Sequence, residues 1–173
     1  MVGDKAMTAT LEEEIGQDRR ILDSEAEAMG GALSVLPLRQ RWVTLSWVLR
    51  ELSPALELHF RKEKEILFPA LRRILGDDAG AVTLLGESQH KLKQSTRHLA
   101  ELLQDPDNLD WDRLFLAIQG FICMLEEHEE MEQRLLIHVL GTRMNPHEQE
   151  KLAAAFHRVG EKAHEEEGWP TQL

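Results

Sequence analysis

His59 and Glu63 recur as His128 and Glu132, offset by 69 positions, and each pair is four residues apart. The apolar surroundings recur with them. Leu45, Leu49, Leu52, Leu56, Ile66, Leu67 and Leu71 align with Leu114, Ile118, Phe121, Leu125, Leu135, Leu136 and Leu140. Residues four apart on a helix share a face, so this pattern predicts two long amphipathic helices, each with a histidine and a glutamate on its core-facing stripe. An unpaired buried carboxylate is costly, and two of them beside two imidazoles need a compensating charge. A metal ion supplies it.

The rest of the chain supports an all-α fold. Leu, Ala, Glu, Lys and Arg dominate, Tyr is absent, and β-branched residues do not cluster, which favours helix over sheet. With 173 residues the chain is long enough for one domain with a real core. A first helix is expected from about Thr10, with the stripe Leu11, Ile15, Leu22, Ala26, Met29 and Leu33 and an acidic first turn at Glu12, Glu13 and Glu14. Gly30-Gly31 is expected to loosen its end. A second helix is read over about Leu38–Ile74, kinked at Pro54, with Ser53-Pro54 as a cap and new start in the alternative reading. A third covers about Ala81–Gln104 with the stripe Val82, Leu85, Leu92, Leu99 and Leu103, and a fourth about Trp111–Leu140. Asn145-Pro146 opens a short fifth. Together these predict an up-down-up-down four-helix bundle with an extra C-terminal helix. The expected limits are a frayed tail over 1–9, the domain over 10–160, and a loose tail over 161–173.

A net charge of −11 argues against nucleic acid as the main partner and gives no support for binding an anionic membrane. No apolar stretch has the length of a bilayer span and the N-terminus lacks a signal-peptide core, so a cytoplasmic location is expected. Cys123 is the one cysteine, which rules out an internal disulfide, and its apolar neighbours suggest a packed thiol. There is no P-loop, GxGxxG or GxSxG element. Trp42, Trp47 and Trp111 read as core or hairpin-end packing. His138, His147, His157 and His164 read as solvent-facing, with His157 and Glu161 a surface pair.

The chemistry therefore concentrates on His59, Glu63, His128 and Glu132, two imidazoles and two carboxylates at similar depth. Such a set suits Fe, Mn or Zn better than Mg or Ca, which prefer all-oxygen shells. Asp18 falls in the centre of the first helix's stripe. On the third helix Gln89 points inward with Val82, Leu85 and Leu92, whereas His90 points away.

The segment H-F-R-K-E-K-E-I-L-F-P-A-L, His59 to Leu71, resembles the signature of the hemerythrin-like HHE cation-binding family. The later H-E-E-M-E-Q-R-L-L, followed by N-P-H-E-Q-E-K-L-A-A-A-F, is similar to that family's fourth helix and C-terminal extension. The resemblance spans about residues 10–160 and implies a four-helix bundle holding non-heme iron, usually as a di-iron centre. It also implies that His59, Glu63, His128 and Glu132 are ligands, with the glutamates bridging two metals. Members carry or sense oxygen, respond to nitric oxide or iron, or help maintain iron centres. The expected partners are thus a metal ion and a small diatomic ligand, with a protein partner or homodimer left open.

The chain departs from the pattern on the other two helices. The family supplies a histidine from the first helix and at least one from the third. Here Asp18 stands in the first place, as an oxygen ligand or as the partner of an arginine on the bundle wall. Gln89 stands where the third helix's histidine is expected, and His90 would need the helix rotated to reach a metal. Three outcomes stay open: a di-metal site with Asp18 as ligand, a single metal among two His and two Glu, or a degenerate metal-free interaction module. A di-metal oxidase or peroxidase competes with sensing and iron handling as the activity.

Overall fold

In the computed structural model, which describes residues 10–76 and 79–167, every regular element is helical. They are α1 (Leu11–Val35), α2 (Leu38–Lys62), a π-helical turn (Glu63–Leu67), α3 (Phe68–Leu75), α4 (Gly80–Leu102), a short 3₁₀ turn (Pro106–Asn108), α5 (Trp111–Arg143) and α6 (Pro146–Glu167). α1 packs on α2, α4 on α5, and the two hairpins meet through α1 against α5 and α2 against α4. The result is the expected four-helix bundle, in which α2, the π turn and α3 make one rod. α6 lies outside it against α1, α2 and the π turn.

Local chemistry explains the helix starts. Thr10 and Glu13 form a capping box, Thr10 Oγ1 accepting from the Glu13 N–H and Glu13 accepting from the Thr10 N–H. Asp110 caps α5 by accepting from the Arg113 N–H. Asn145 and Glu148 make the reciprocal pair at α6, with Pro146 at its first position. α6 continues to Glu167, into the stretch expected as a loose tail over 161–173. Gly30-Gly31 stays helical and α1 continues to Val35. The expected 1–9 tail, Asp77, Asp78, Trp169 and the His164 and Leu140 side chains lie outside the described residues.

Two prolines lie in this rod, and the helix restart at Ser53-Pro54 of the alternative reading is not seen. α2 runs unbroken through Pro54, where Ser53 Oγ donates to the Leu49 carbonyl. The helix instead widens at Glu63–Leu67, where the Phe68 N–H donates to the Glu63 carbonyl, five residues back. Pro69 follows directly and has no N–H to give the Glu65 carbonyl. Its ring would also crowd that oxygen in an ordinary helix, and a π turn just before it relieves the crowding.

The stripes pack as read. Leu22, Met29, Leu45, Leu52, Leu56, Leu92, Leu99, Leu114, Ile118 and Phe121 fill one end of the bundle. Leu11, Ile15, Leu67, Leu71, Val82, Leu85, Leu136 and Phe156 fill the other. Between these two apolar clusters lies a buried polar layer of His59, Lys62, Glu63, Gln89, His128 and Glu132. Three expectations away from that layer need correction or refinement. Cys123 is exposed, its Sγ 3.8 Å from Glu127 Oε1, because it sits on the outer side of α5. Trp47 is exposed, on the outer face of α2. Trp42 is half-buried at the hairpin end and donates from Nε1 to the Leu103 carbonyl at 3.0 Å.

Candidate metal centre

α2 and α5 bring the two His–Glu pairs together as their spacing predicts. His59, Glu63, His128 and Glu132 are at most 1 % exposed. His59, Glu63 and His128 each offer a donor atom within 4.8 Å of the others. His59 Nε2 is 3.7 Å from Glu63 Oε2 and 3.9 Å from Glu132 Oε2, and His128 Nε2 is 3.7 Å from Glu63 Oε2. Metal bonds to nitrogen and oxygen of about 2.0–2.2 Å place neighbouring donors roughly 3–4 Å apart. These separations match that shell.

The hydrogen-bond inventory makes the same point. His59 Nε2, His128 Nδ1 and Nε2, Glu63 Oε1 and Glu132 Oε1 are buried without a protein partner. Buried polar atoms are ordinarily satisfied. Several orphans from two helices facing one another are the donor set a cation fits, so the residues present fit the metal that the repeat implied.

The remaining expected residues lie around these four. Asp18 Oδ2 lies 3.4 Å from His59 Nδ1, the ring nitrogen turned away from the glutamates. Its carboxylate is bound by Lys62 Nζ at 2.7 and 3.0 Å, so the expected pairing with an arginine is replaced by a lysine. Gln89 is buried and donates from Nε2 to Glu63 Oε2. His90 is exposed and its Nε2 lies 3.0 Å from Gln94 Nε2, so the helix is not rotated to bring it inward. His138, His147 and His157 are exposed, and His157 pairs with Glu14 and Glu161.

Two functional cations escaped the sequence reading. Arg19 holds Glu132 Oε2 through Nη2 at 2.7 Å and Nε at 3.1 Å, with Nη2 also donating to the Glu129 carbonyl. Lys62 is 6 % exposed. The signal was present. Arg19 is four residues after Ile15 and three before Leu22, and Lys62 is three after His59. Both therefore border a core stripe that already carried carboxylates.

These neighbours set the electrostatics. Burial by itself would lower the His59 imidazole, but Glu63, Asp18 and Glu132 overcome it and hold it up at about 9. Burial would raise Glu63, yet His59, His128 and Gln89 keep it below the ordinary carboxylate value. Asp18 is likewise held down against burial by His59 and Lys62. Glu132 is raised, by burial and then by Glu63, despite His59 and Arg19.

Beside the centre, burial and the Asp23 carboxyl raise Glu129 to about 7. A raised carboxyl holds its proton in the folded chain after the unfolded chain has lost it. The stabilisation is thus present at and below the unfolded value of 4.5 and is lost as pH rises toward 7. Urea unfolding of metal-free protein is expected to show Glu129→Gln flattening the decline of stability across that window. A slope unchanged from wild type would exclude the raised Glu129 carboxyl.

The hemerythrin HHE cation binding domain family matches residues 6–140, and the chain belongs to that family. Proteins named iron-sulfur cluster repair protein YtfE, from Yersinia pseudotuberculosis serotype IB (strain PB1/+) and Yersinia pestis (strain Pestoides F), are each 31% identical over 98 residues. The matched stretch is 53% of this chain and 42% of each relative, so the chain spans less than half the length of these curated relatives. No solved structure matches. Among the described residues, no helix is long and apolar enough to cross a membrane.

Proposed function

We propose that this protein binds non-heme iron in the bundle core through His59, Glu63, His128 and Glu132, and uses it in oxygen, nitric oxide or redox sensing, or in iron handling. The observation that carries the reading is the set of buried, unpartnered donors on α2 and α5. A mixed nitrogen and oxygen set suits iron, with manganese or zinc as the competing ions. The name carried by the Yersinia relatives points toward iron-sulfur cluster repair, and for this chain that extends only to the stretch the two share.

When bound, iron supplies a redox-active Lewis acid. The chain's own residues supply the rest. Asp18 fixes the His59 ring from behind, Gln89 and Arg19 orient Glu63 and Glu132, and Phe60 packs edge-on to His128 at 5.3 Å. The apolar clusters at both ends exclude water. Anaerobic loading with Fe(II), desalting and elemental analysis test the proposal. Wild type is expected to retain iron, and His128→Ala and Glu63→Ala to lose it. Equal retention in all three would place the metal elsewhere.

An oxidase or peroxidase reading has one observation in its favour. A cleft of about 710 Å³ opens between α2, α3 and α4, lined by Phe60, Phe68, Gln89 and Lys93 among others. It reaches Gln89, one hydrogen bond from Glu63. Peroxide turnover lost in Glu63→Ala and Glu132→Ala would establish that reading over sensing. A metal-free interaction module leaves the orphaned donors without an explanation.

A further inference from the structure

We infer that the centre is mononuclear, with Lys62 and Arg19 standing in for the charge of a second ion and Asp18 orienting His59 from behind. The inference rests on the iron-binding reading above and sharpens it. Three carboxylates enter the polar layer: Asp18, Glu63 and Glu132. Two of them are already matched by a cation within 2.7 Å, Asp18 by Lys62 and Glu132 by Arg19. A second divalent ion would have to lie beside those two cations, where the further half-buried carboxyl, Glu129, is hydrogen-bonded to Asp23 and keeps one buried oxygen unpartnered. At short range in a buried site, that repulsion is large.

The direction of the His59 ring is the second argument. Its Nε2 faces Glu63 and Glu132, while Nδ1 faces Asp18. A carboxylate on the far ring nitrogen fixes tautomer and orientation rather than ligating. Gln89 donates to Glu63 Oε2 and Arg19 to Glu132 Oε2, which leaves Oε1 of each glutamate unpartnered, so each of these three donors has its own outer partner. The two residues that replace the family's expected histidines, Asp18 and Gln89, are both in this outer position.

Lys62 is also held in place by chain beyond the family match. Its Nζ lies 5.2 Å from the centre of the Phe156 ring on α6. Gly160, one turn further on, lets the helix approach so closely that a Cβ there would stand 3.2 Å from Lys62 Cε. α6 thus covers the lysine that occupies Asp18.

The test is the iron content and the paramagnetic resonance spectrum of the full chain after anaerobic Fe(II) loading, desalting and air oxidation. One iron per chain with the signal of an isolated high-spin ferric ion is expected. Two irons per chain, with that signal suppressed by spin coupling, would overturn the mononuclear inference while leaving iron binding intact. No retained iron would overturn the iron-binding reading itself. Asp18→Asn separates positioning from ligation. Stoichiometry is expected to stay at one while affinity falls roughly 10–100-fold and the resonance line shape changes. Loss of one iron from a chain that held two would instead make Asp18 a ligand.

Discussion

Arg19→Met is expected to destabilise the metal-free protein by about 3–5 kcal/mol, the range for removing one partner of a buried ion pair. Glu132 is fully buried and Arg19 is its cation, bound at 2.7 and 3.1 Å. Methionine preserves much of the stem's packing but leaves the carboxylate with His59 as its nearest cationic partner, 3.9 Å away. The loss should be larger at pH 8 than at pH 5. Glu132 is already raised by burial and Glu63, and without Arg19 it is raised further, so a protonated carboxyl at low pH no longer needs the guanidinium. Urea unfolding at the two pH values checks the direction. The double variant Arg19→Met/Glu132→Gln isolates the pair, because it removes the stranded charge together with its partner. A double variant no more stable than Arg19→Met would show that the guanidinium acts through packing.

How much of this centre was legible in the sequence follows from what helical periodicity reports. The His59–Glu63 and His128–Glu132 pairs, the stripes of all four bundle helices, and the inward Gln89 against the outward His90 are facts of phase, and phase survives into the fold. Periodicity does not report which of several buried polar groups pair with one another. Asp18 was correctly placed on the core stripe, yet its partner is Lys62, 44 positions away, and that choice depends on the approach of α1 to α2. Arg19 was passed over for a related reason. A long cationic side chain at a stripe's edge reads as a solvated residue until a buried carboxylate is found within its reach. The π turn before Pro69 was missed because an unbroken apolar stripe suggested an unbroken helix, although the proline's missing N–H was visible. Cys123 and Trp47 show the opposite error. Apolar neighbours in sequence were read as burial, but both residues fall on outer helix faces.

Binding of the metal is expected to stabilise the fold strongly, by about 4.1 kcal/mol when free Fe(II) is a thousandfold above its dissociation constant. In the metal-free chain, Glu63 and Glu132 lie close enough for Glu63 to raise Glu132. The two histidines leave unpaired nitrogens in the core. Each unsatisfied buried donor or acceptor costs roughly 1–3 kcal/mol, so the metal-free fold carries a local penalty that a cation removes. Anaerobic thermal unfolding should therefore show a midpoint that climbs with Fe(II) concentration in wild type and returns on adding a chelator. In Glu63→Ala the climb should vanish. The metal-free form of that variant should also lose stability, because His59, His128 and Gln89 hold the Glu63 carboxylate and lose their partner with the side chain. An iron-independent midpoint in wild type would mean that the buried donors are satisfied without a metal. A climb that persists in Glu63→Ala would mean that iron stabilises the bundle from another place. Either outcome would detach the His–Glu repeat from the chemistry assigned to it.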